Sequence, residues 1–262
     1  MLRRLLCLLL VLATPASADW RDEIIYFVMV DRFADGDPSN NEGVDLDNPL
    51  AFHGGDLKGL TERLDYIADL GATAIWLTPV SQQGPSIEVA EGTFQPHHGY
   101  WADDFNAIDP RYGTEDDLRA LVVAAHERGI KVLLDVVYNH VGYDASWTVT
   151  HPNWLRQGAE CGGDAITMCL SGLPDLKTER FDVRSAILDA HIGLAERTGI
   201  DGPALFALRM ALTLALNSKC QDPASCSIAD LTESDVVNGP GTAGRARLPI
   251  EGINLAGKTG TA

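Results

Sequence analysis

The chain has 262 residues, with 20 Lys+Arg against 37 Asp+Glu and a formal net charge of -17. That length suits one large domain or two small ones. The acidic balance speaks against nucleic acid as a partner, because phosphate binding needs a basic face, and against docking on anionic membrane surfaces.

Residues 1–18 read as a signal peptide. Arg3-Arg4 form the charged start, Leu5 to Ala13 the apolar core, and Ala16-Ser17-Ala18 a small-residue cleavage site. The apolar part is too short to span a bilayer. The mature chain is predicted to start at Asp19, to be exported to the periplasm or the cell exterior, and to carry no membrane span once the signal is removed. Cys161, Cys169, Cys220 and Cys226 then remain. An even count in an exported chain implies two disulfides, and the short pairings 161–169 and 220–226 are favoured among the three.

Ile24 to Val30 is a continuous apolar run, read as a buried strand. The polar loop Ala34-Asp35-Gly36-Asp37-Pro38-Ser39-Asn40-Asn41 follows. It offers hard oxygen ligands at short spacing, as Ca²⁺ requires, and it also reads as an Asx-rich turn. Leu57, Leu60, Leu64, Ile67 and Ala68 recur at helical spacing, and Gly71 closes that helix. Ala74 to Thr78 is a second strand, stopped by Pro79. Residues 81–112 read as one long irregular loop carrying His97-His98-Gly99-Tyr100-Trp101, a metal site or a stacking platform. Thr114, with Asp117 three residues on, starts a helix with Leu118, Leu121, Val122 and Ala125 on its apolar face, and Gly129 ends it. Lys131 to Val137 is a third strand with Asp135 inside it, and it runs into Tyr138-Asn139-His140. Asp182 is placed to cap a further helix with Ile187, His191, Leu194 and Ala195 on one face, closed by Gly199.

Strand and helix alternate, which implies a parallel sheet with right-handed crossovers. Both an open doubly wound sheet and a closed (β/α)₈ barrel fit. No glycine-rich phosphate loop follows the first strand, which weighs against a nucleotide fold.

Six segments share an order with a known family: Asp31-Arg32-Phe33 with the loop through Asn41, His53-Gly54-Gly55-Asp56, Gly71 to Pro79, His98-Gly99-Tyr100-Trp101, Asp135 to His140, and Leu173-Pro174-Asp175-Leu176. Residues 19–202 resemble the α-amylase family of glycoside hydrolases, in its branch related to cyclodextrin glucanotransferases and cyclomaltodextrinases. The resemblance implies α/β architecture: the first strands and helices of a (β/α)₈ TIM barrel over 19–140, a domain B insertion over 141–178, and a return to the barrel over 179–202. It implies an α-glucan partner (starch, maltodextrin or cyclodextrin). His98, Tyr100, Asp135 and His140 would bind substrate. It also implies one or two Ca²⁺ sites, one held by Asn139 and Asp175, the other by Asp35, Asp37, Asn40, Asn41, Gly54 and Asp56.

The family mechanism is a retaining double displacement between two carboxyl groups. Its nucleophile segment, Phe-Arg-x-Asp, is expected after Gly199-Ile200-Asp201-Gly202, where Pro203-Ala204-Leu205-Phe206 stands instead. Arg209-Met210-Ala211 is displaced and has Ala where the nucleophile belongs. No acid-base segment follows. The expectation is therefore an incomplete, inactive barrel half joined to foreign sequence over 203–262, at most a non-catalytic glucan or calcium binder. Residues 236–262, with Gly257-Lys258-Thr259-Gly260-Thr261, resemble the Lys-Thr-Gly region of penicillin-binding transpeptidases, but no Ser-x-x-Lys nucleophile occurs in the chain.

Overall fold

Three apolar runs become the three strands of one parallel sheet. The computed structural model describes residues 23–163 and 168–202. Residues 1–18, read as a signal peptide, together with Cys220, Cys226 and everything from Pro203 on, the Lys-Thr-Gly tail included, lie outside the described residues.

The first strand, β1 (Ile25–Val28), is shorter than its apolar run, because Val30–Arg32 turns into a 3₁₀ helix. Two short helices follow, α1 (Leu57–Glu62) and α2 (Leu64–Asp69). The periodicity predicts one helix here. The chain breaks it at Arg63, whose φ of -108° and ψ of 10° fall outside the helical region. Asp56 caps α1 by accepting the Gly59 N–H at 2.6 Å. Next comes β2 (Ala74–Leu77).

The stretch read as an irregular loop holds four strands: β3 (Ser81–Gln83), β4 (Ile87–Val89), β5 (Gly92–Phe94) and β6 (Ala102–Ile108). β3 pairs antiparallel with β6, and β4 with β5. Three of them are only 3 residues long, too short for a period-two pattern to register.

Helix α3 (Glu115–Glu127) opens on a complete capping box, with Thr114 and Asp117 satisfying each other's backbone N–H groups. Gly129, at φ +70°, turns the chain into β7 (Lys131–Leu134). Asp135 sits one residue past the end of that strand, although its N–H still donates to the Leu77 carbonyl at 2.9 Å. Beyond it lie α4 (Trp147–Thr150), β8 (Leu155–Arg156) and β9 (Asp175–Leu176), the last two paired antiparallel. The Cys161–Cys169 disulfide forms within this segment, with Cα atoms 5.8 Å apart. Finally α5 (Phe181–Thr198) runs to a left-handed Gly199. Its N-cap is Arg180. Asp182 lies inside the first turn, ion-paired with Arg180, because the helix starts two residues earlier than a cap at 182 requires.

The sheet order is β1-β2-β7, both pairs parallel. Side chains alternate between its two faces. Val28, Ile75, Leu77, Val132 and Leu134 point to the helix side and share a core with Leu57, Leu60, Leu64, Ile67, Leu118 and Leu121. Each fully buried leucine there stabilises the fold by about 1.5–3 kcal/mol. A second core, around Phe105, Val141, Trp147, Leu155 and Leu176, joins β6 and the segment after β7 to Val183, Ile187 and Ala190 of α5.

Candidate functional site

The carboxyl ends of β1, β2 and β7 deliver Val30, Thr78 and Asp135 to one rim of the sheet, the edge at which parallel α/β folds gather their polar groups. Thr78 is buried there and takes the Val30 N–H on its hydroxyl at 3.2 Å. Asp135 accepts two donors: the Tyr100 hydroxyl at 2.9 Å on Oδ2, and the Val136 N–H at 2.8 Å on Oδ1. Burial holds the Asp135 carboxyl above the usual carboxylate range, and both hydrogen bonds pull it back. The same burial, together with the Asp135 charge, pushes the Tyr100 phenol far up, so it acts as a donor and not as a phenolate.

Two histidines flank this pair. His98 lies stacked on Tyr100, ring centroids 5.7 Å apart, and its Nδ1 accepts the Tyr100 N–H at 3.0 Å. Burial, followed by the neighbouring His97 and His140, lowers His98 to about 3, so the ring is neutral and its proton sits on Nε2. His140 is its complement. Its Nε2 meets the Tyr100 carbonyl at 3.1 Å, an atom that can only accept. Burial keeps this ring neutral too. The bare lone pair is therefore on Nδ1, which is buried and has no hydrogen-bond partner, as is the Tyr138 hydroxyl. His98 thus offers an N–H donor and His140 an acceptor beside an aromatic face and a carboxylate. That set is chemically matched to a polyhydroxylated ring. All four residues expected at a substrate site are brought together.

The loop residues expected to hold metal are also drawn together, with a division of labour. The Asp56 carboxylate is taken up by N–H donors from Gly36, Asp37, Gly59 and the Asn40 amide, so it anchors the loop onto α1. Asp35 accepts the Asn41 amide at 2.6 Å. The side-chain oxygens of Asn40 and Asn41 are buried without partners. Gly54, at φ +86°, leaves the space beside Asn41 open, since a Cβ there would lie 2.7 Å from Asn41 Oδ1. Two orphaned amide oxygens beside two carboxylates fit a hard cation. The other expected pair is arranged differently. Asn139 is exposed, and Asp175 is buried against the Arg156 guanidinium at 3.0 Å. Burial raises Asp175, and Arg156 opposes that rise. Among the described residues no three His, Cys, Asp or Glu side chains form a metal cluster, so any cation there depends on amide and backbone oxygens as well.

Sequence reading missed the groups that hold this rim in place. Asp109 is fully buried and bound by both forks of Arg111 at 2.8 Å, and it also accepts the Gln83 N–H at 3.0 Å. The Gln83 side-chain carbonyl accepts the Trp101 N–H at 2.8 Å, and the Tyr112 hydroxyl donates to the His97 carbonyl at 2.8 Å. These bonds fasten the segment His97–Trp101 from below. The available signal was a lone Asp109 closing the run Phe105 to Ile108, next to Arg111. Asp31 plays the same part for the loop after β1, accepting the His53 and Gly54 N–H groups while paired with Arg32.

Comparison with known proteins gives this geometry a context. Residues 27–154 match the alpha-amylase catalytic-domain family model. A periplasmic alpha-amylase of Escherichia coli is 46% identical over 140 residues, 50% of this chain and 21% of that protein. A cyclomaltodextrinase of Geobacillus thermopakistaniensis is 40% identical over 135 residues, 49% of this chain and 21% of that protein. The alpha-amylase of Geobacillus thermoleovorans, solved in complex with acarbose, superposes with a TM-score of 0.62 at 37% identity, over 77% of this chain and 46% of that one. The chain therefore spans less than half the length of these relatives. No helix among the described residues is long and apolar enough to cross a membrane. Over residues 27–154 the chain is similar to the alpha-amylase catalytic domain, and its three parallel strands match the first part of that (β/α)₈ barrel fold.

Proposed function

We propose that this chain is an exported α-glucan-binding part of an α-amylase-type glycoside hydrolase, without hydrolytic turnover of its own. One observation carries the reading: His98, Tyr100, Asp135 and His140 converge at the carboxyl ends of parallel strands, with a donor, an acceptor, a carboxylate and a ring face turned to the same ligand chemistry. Tyr100 stacks on a sugar ring, His98 donates to one hydroxyl and His140 accepts from another. Asp135 fixes the Tyr100 ring. A retaining mechanism also needs a nucleophile and an acid, and no Phe-Arg-x-Asp segment follows Gly202 in the sequence.

The reading includes calcium. Asp35, Asp37, Asn40, Asn41 and the Gly54 carbonyl would hold an ion that fixes the loop after β1, with Asp56 anchoring the loop behind it. Asp175 with Asn139 would take a second ion only by releasing Arg156. The domain organisation follows the same likeness, with an insertion over 141–178 between two barrel segments. Export, to the periplasm or beyond, rests on the signal-like residues 1–18.

The test is to titrate the purified protein with maltodextrin and β-cyclodextrin in the presence of calcium, and to assay new reducing ends from starch. Saturable binding with no product above blank is expected. New reducing ends would overturn the inactive assignment, and absence of binding would overturn the glucan assignment.

A further inference from the structure

Arg156 and Asp175 stand directly opposite each other in the register of the β8–β9 pair. Asp175 also bridges to His140. Backbone bonds on either side complete the link: the Val141 N–H donates to the Pro174 carbonyl at 3.0 Å, and the Leu176 N–H to the Asn139 carbonyl at 2.8 Å. The chain just after β7 is thereby tied to β9, and β9 to β8. Asp175 sits in the middle of this junction and is only 4% exposed. An ionised carboxylate so placed needs a paired charge and hydrogen-bond donors. The Arg156 guanidinium supplies both. Its Nη1 donates to Asp175 Oδ1 at 3.0 Å, and its Nη2 donates to the Glu179 carboxylate. The Cys169 N–H is a further donor to Asp175.

We infer that Arg156 is the built-in cation of this junction, so that the chain after β7 is fastened to β8 and β9 without a calcium ion at Asp175 and Asn139. The donor set is the first argument. Calcium takes about 6–8 oxygen ligands. Here Asn139 is exposed, and its carbonyl already accepts the Leu176 N–H. Asp175 is engaged by N–H donors, which take the lone pairs a metal would use. One guanidinium spans the two nearby carboxylates, Asp175 and Glu179, and its planar fork suits carboxylate oxygens. Placement is the second argument. Strand register delivers Arg156, so the positive charge arrives as β8 and β9 pair. The contrast with the loop after β1 is the third. That loop leaves the side-chain oxygens of Asn40 and Asn41 buried and unpartnered, whereas no orphaned oxygen is found at Asp175 or Glu179. The residues at this junction therefore do not fit a second calcium ion. The inference does not depend on glucan binding, and it leaves calcium in the loop after β1 as a separate question.

The Val141 and Leu176 amides cross the junction and report on it, while the Asp135 amide, bonded to the Leu77 carbonyl in the sheet, reports on global unfolding. Hydrogen exchange at all three is followed in the full chain by mass spectrometry with residue-level fragmentation, in excess calcium and in EGTA. In the unsubstituted chain, EGTA is expected to leave Val141 and Leu176 unchanged relative to Asp135. Arg156→Met keeps an unbranched side chain and removes the charge. In EGTA it is expected to speed exchange at both amides by on the order of a hundredfold relative to Asp135, because it strands a buried carboxylate. Faster exchange at Val141 and Leu176 on calcium removal from the unsubstituted chain, beyond any change at Asp135, would assign the junction to a metal and overturn the inference. Exchange unaltered by Arg156→Met would overturn it as well. If Arg156→Met does not fold, Arg156→Lys keeps the charge but loses the fork, and should speed both amides by about tenfold; no change in that variant would equally overturn the inference.

Discussion

Replacing Tyr100 by Phe removes one oxygen and leaves the ring, so it isolates the bond to Asp135. That bond is 2.9 Å long and ends on a carboxylate which burial already disfavours. A hydrogen bond to a charged group is worth about 1.5–3 kcal/mol, against about 1 kcal/mol for a neutral pair. With Asp135 ionised, Tyr100→Phe should cost about 2 kcal/mol. With a urea slope of about 1–3 kcal/mol/M, that moves the unfolding midpoint by about 1 M. The folded-state pKa of Asp135 is raised. Its contribution is therefore most favourable below the unfolded value and is lost as pH rises through the folded one. Losing the Tyr100 bond raises that pKa further, so the penalty of the mutation must grow with pH across this window. Asp135→Asn removes the charge, and in that background Tyr100→Phe should cost only about 1 kcal/mol. The double-mutant cycle then gives a coupling of about 1 kcal/mol or more at pH 7, shrinking in acid. Urea titrations of the four proteins at neutral and acid pH measure it. A coupling near zero at pH 7, or one larger in acid, would refute an ionised Asp135 held by Tyr100.

The histidines work in the opposite direction. His98 falls from its ordinary 6.5 to about 3 on folding, so the unfolded chain takes up a proton that the folded chain refuses, and stability should decline as pH drops from 6.5 towards 3. His98→Gln, which keeps an acceptor but does not titrate, should flatten that slope, and an unchanged slope by urea titration would remove His98 as its cause. Gly54→Ala forces a side chain into φ +86° and against Asn41. It should cost about 1–3 kcal/mol and, with calcium held by this loop as proposed, shrink the rise in Tm expected on adding calcium, a rise worth about 2.7 kcal/mol at a hundred times Kd. An equal rise in both proteins would separate calcium from this loop. Replacing Cys161 and Cys169 by Ser opens a short loop and should cost about 2–3 kcal/mol in chemical denaturation. No loss would show that the segment around it unfolds independently of the core.

The regular frame was legible because its signals are strong and local. Apolar runs gave the three sheet strands, the second and third of them announced by Gly71 and Gly129, and Thr114 with Asp117 gave the start of α3. His98, Tyr100, Asp135 and His140 were legible as a group through the motifs that contain them; the end of β7 places Asp135, while His98 and Tyr100 come from the loop between β5 and β6. What stayed hidden depends on partners distant in sequence. The strands β3 and β6 are stabilised by each other and by Asp109, which lies 26 residues from the Gln83 whose N–H it accepts. The break at Arg63 carries no proline or glycine to announce it. Nor does Asp175 reveal, in a motif that suggests a calcium ligand, that Arg156 from β8 stands beside it. The assignment of Asp182 as a cap failed by two residues, the usual scatter at helix ends.

The pairing of Asp201 with Val132 has a bearing on self-association. A single residue satisfies both the N–H and the carbonyl of Val132 on the outer edge of β7, so the place where another chain's strand would begin to add is already taken. Among the described residues β1, at the other side of the sheet, is paired only with β2. Unlimited stacking of copies needs two complementary open edges, one to give and one to receive. With Val132 so occupied, strand addition along β7 is impeded at that position, whereas β1 against β1 would give a two-fold pairing that closes after two chains.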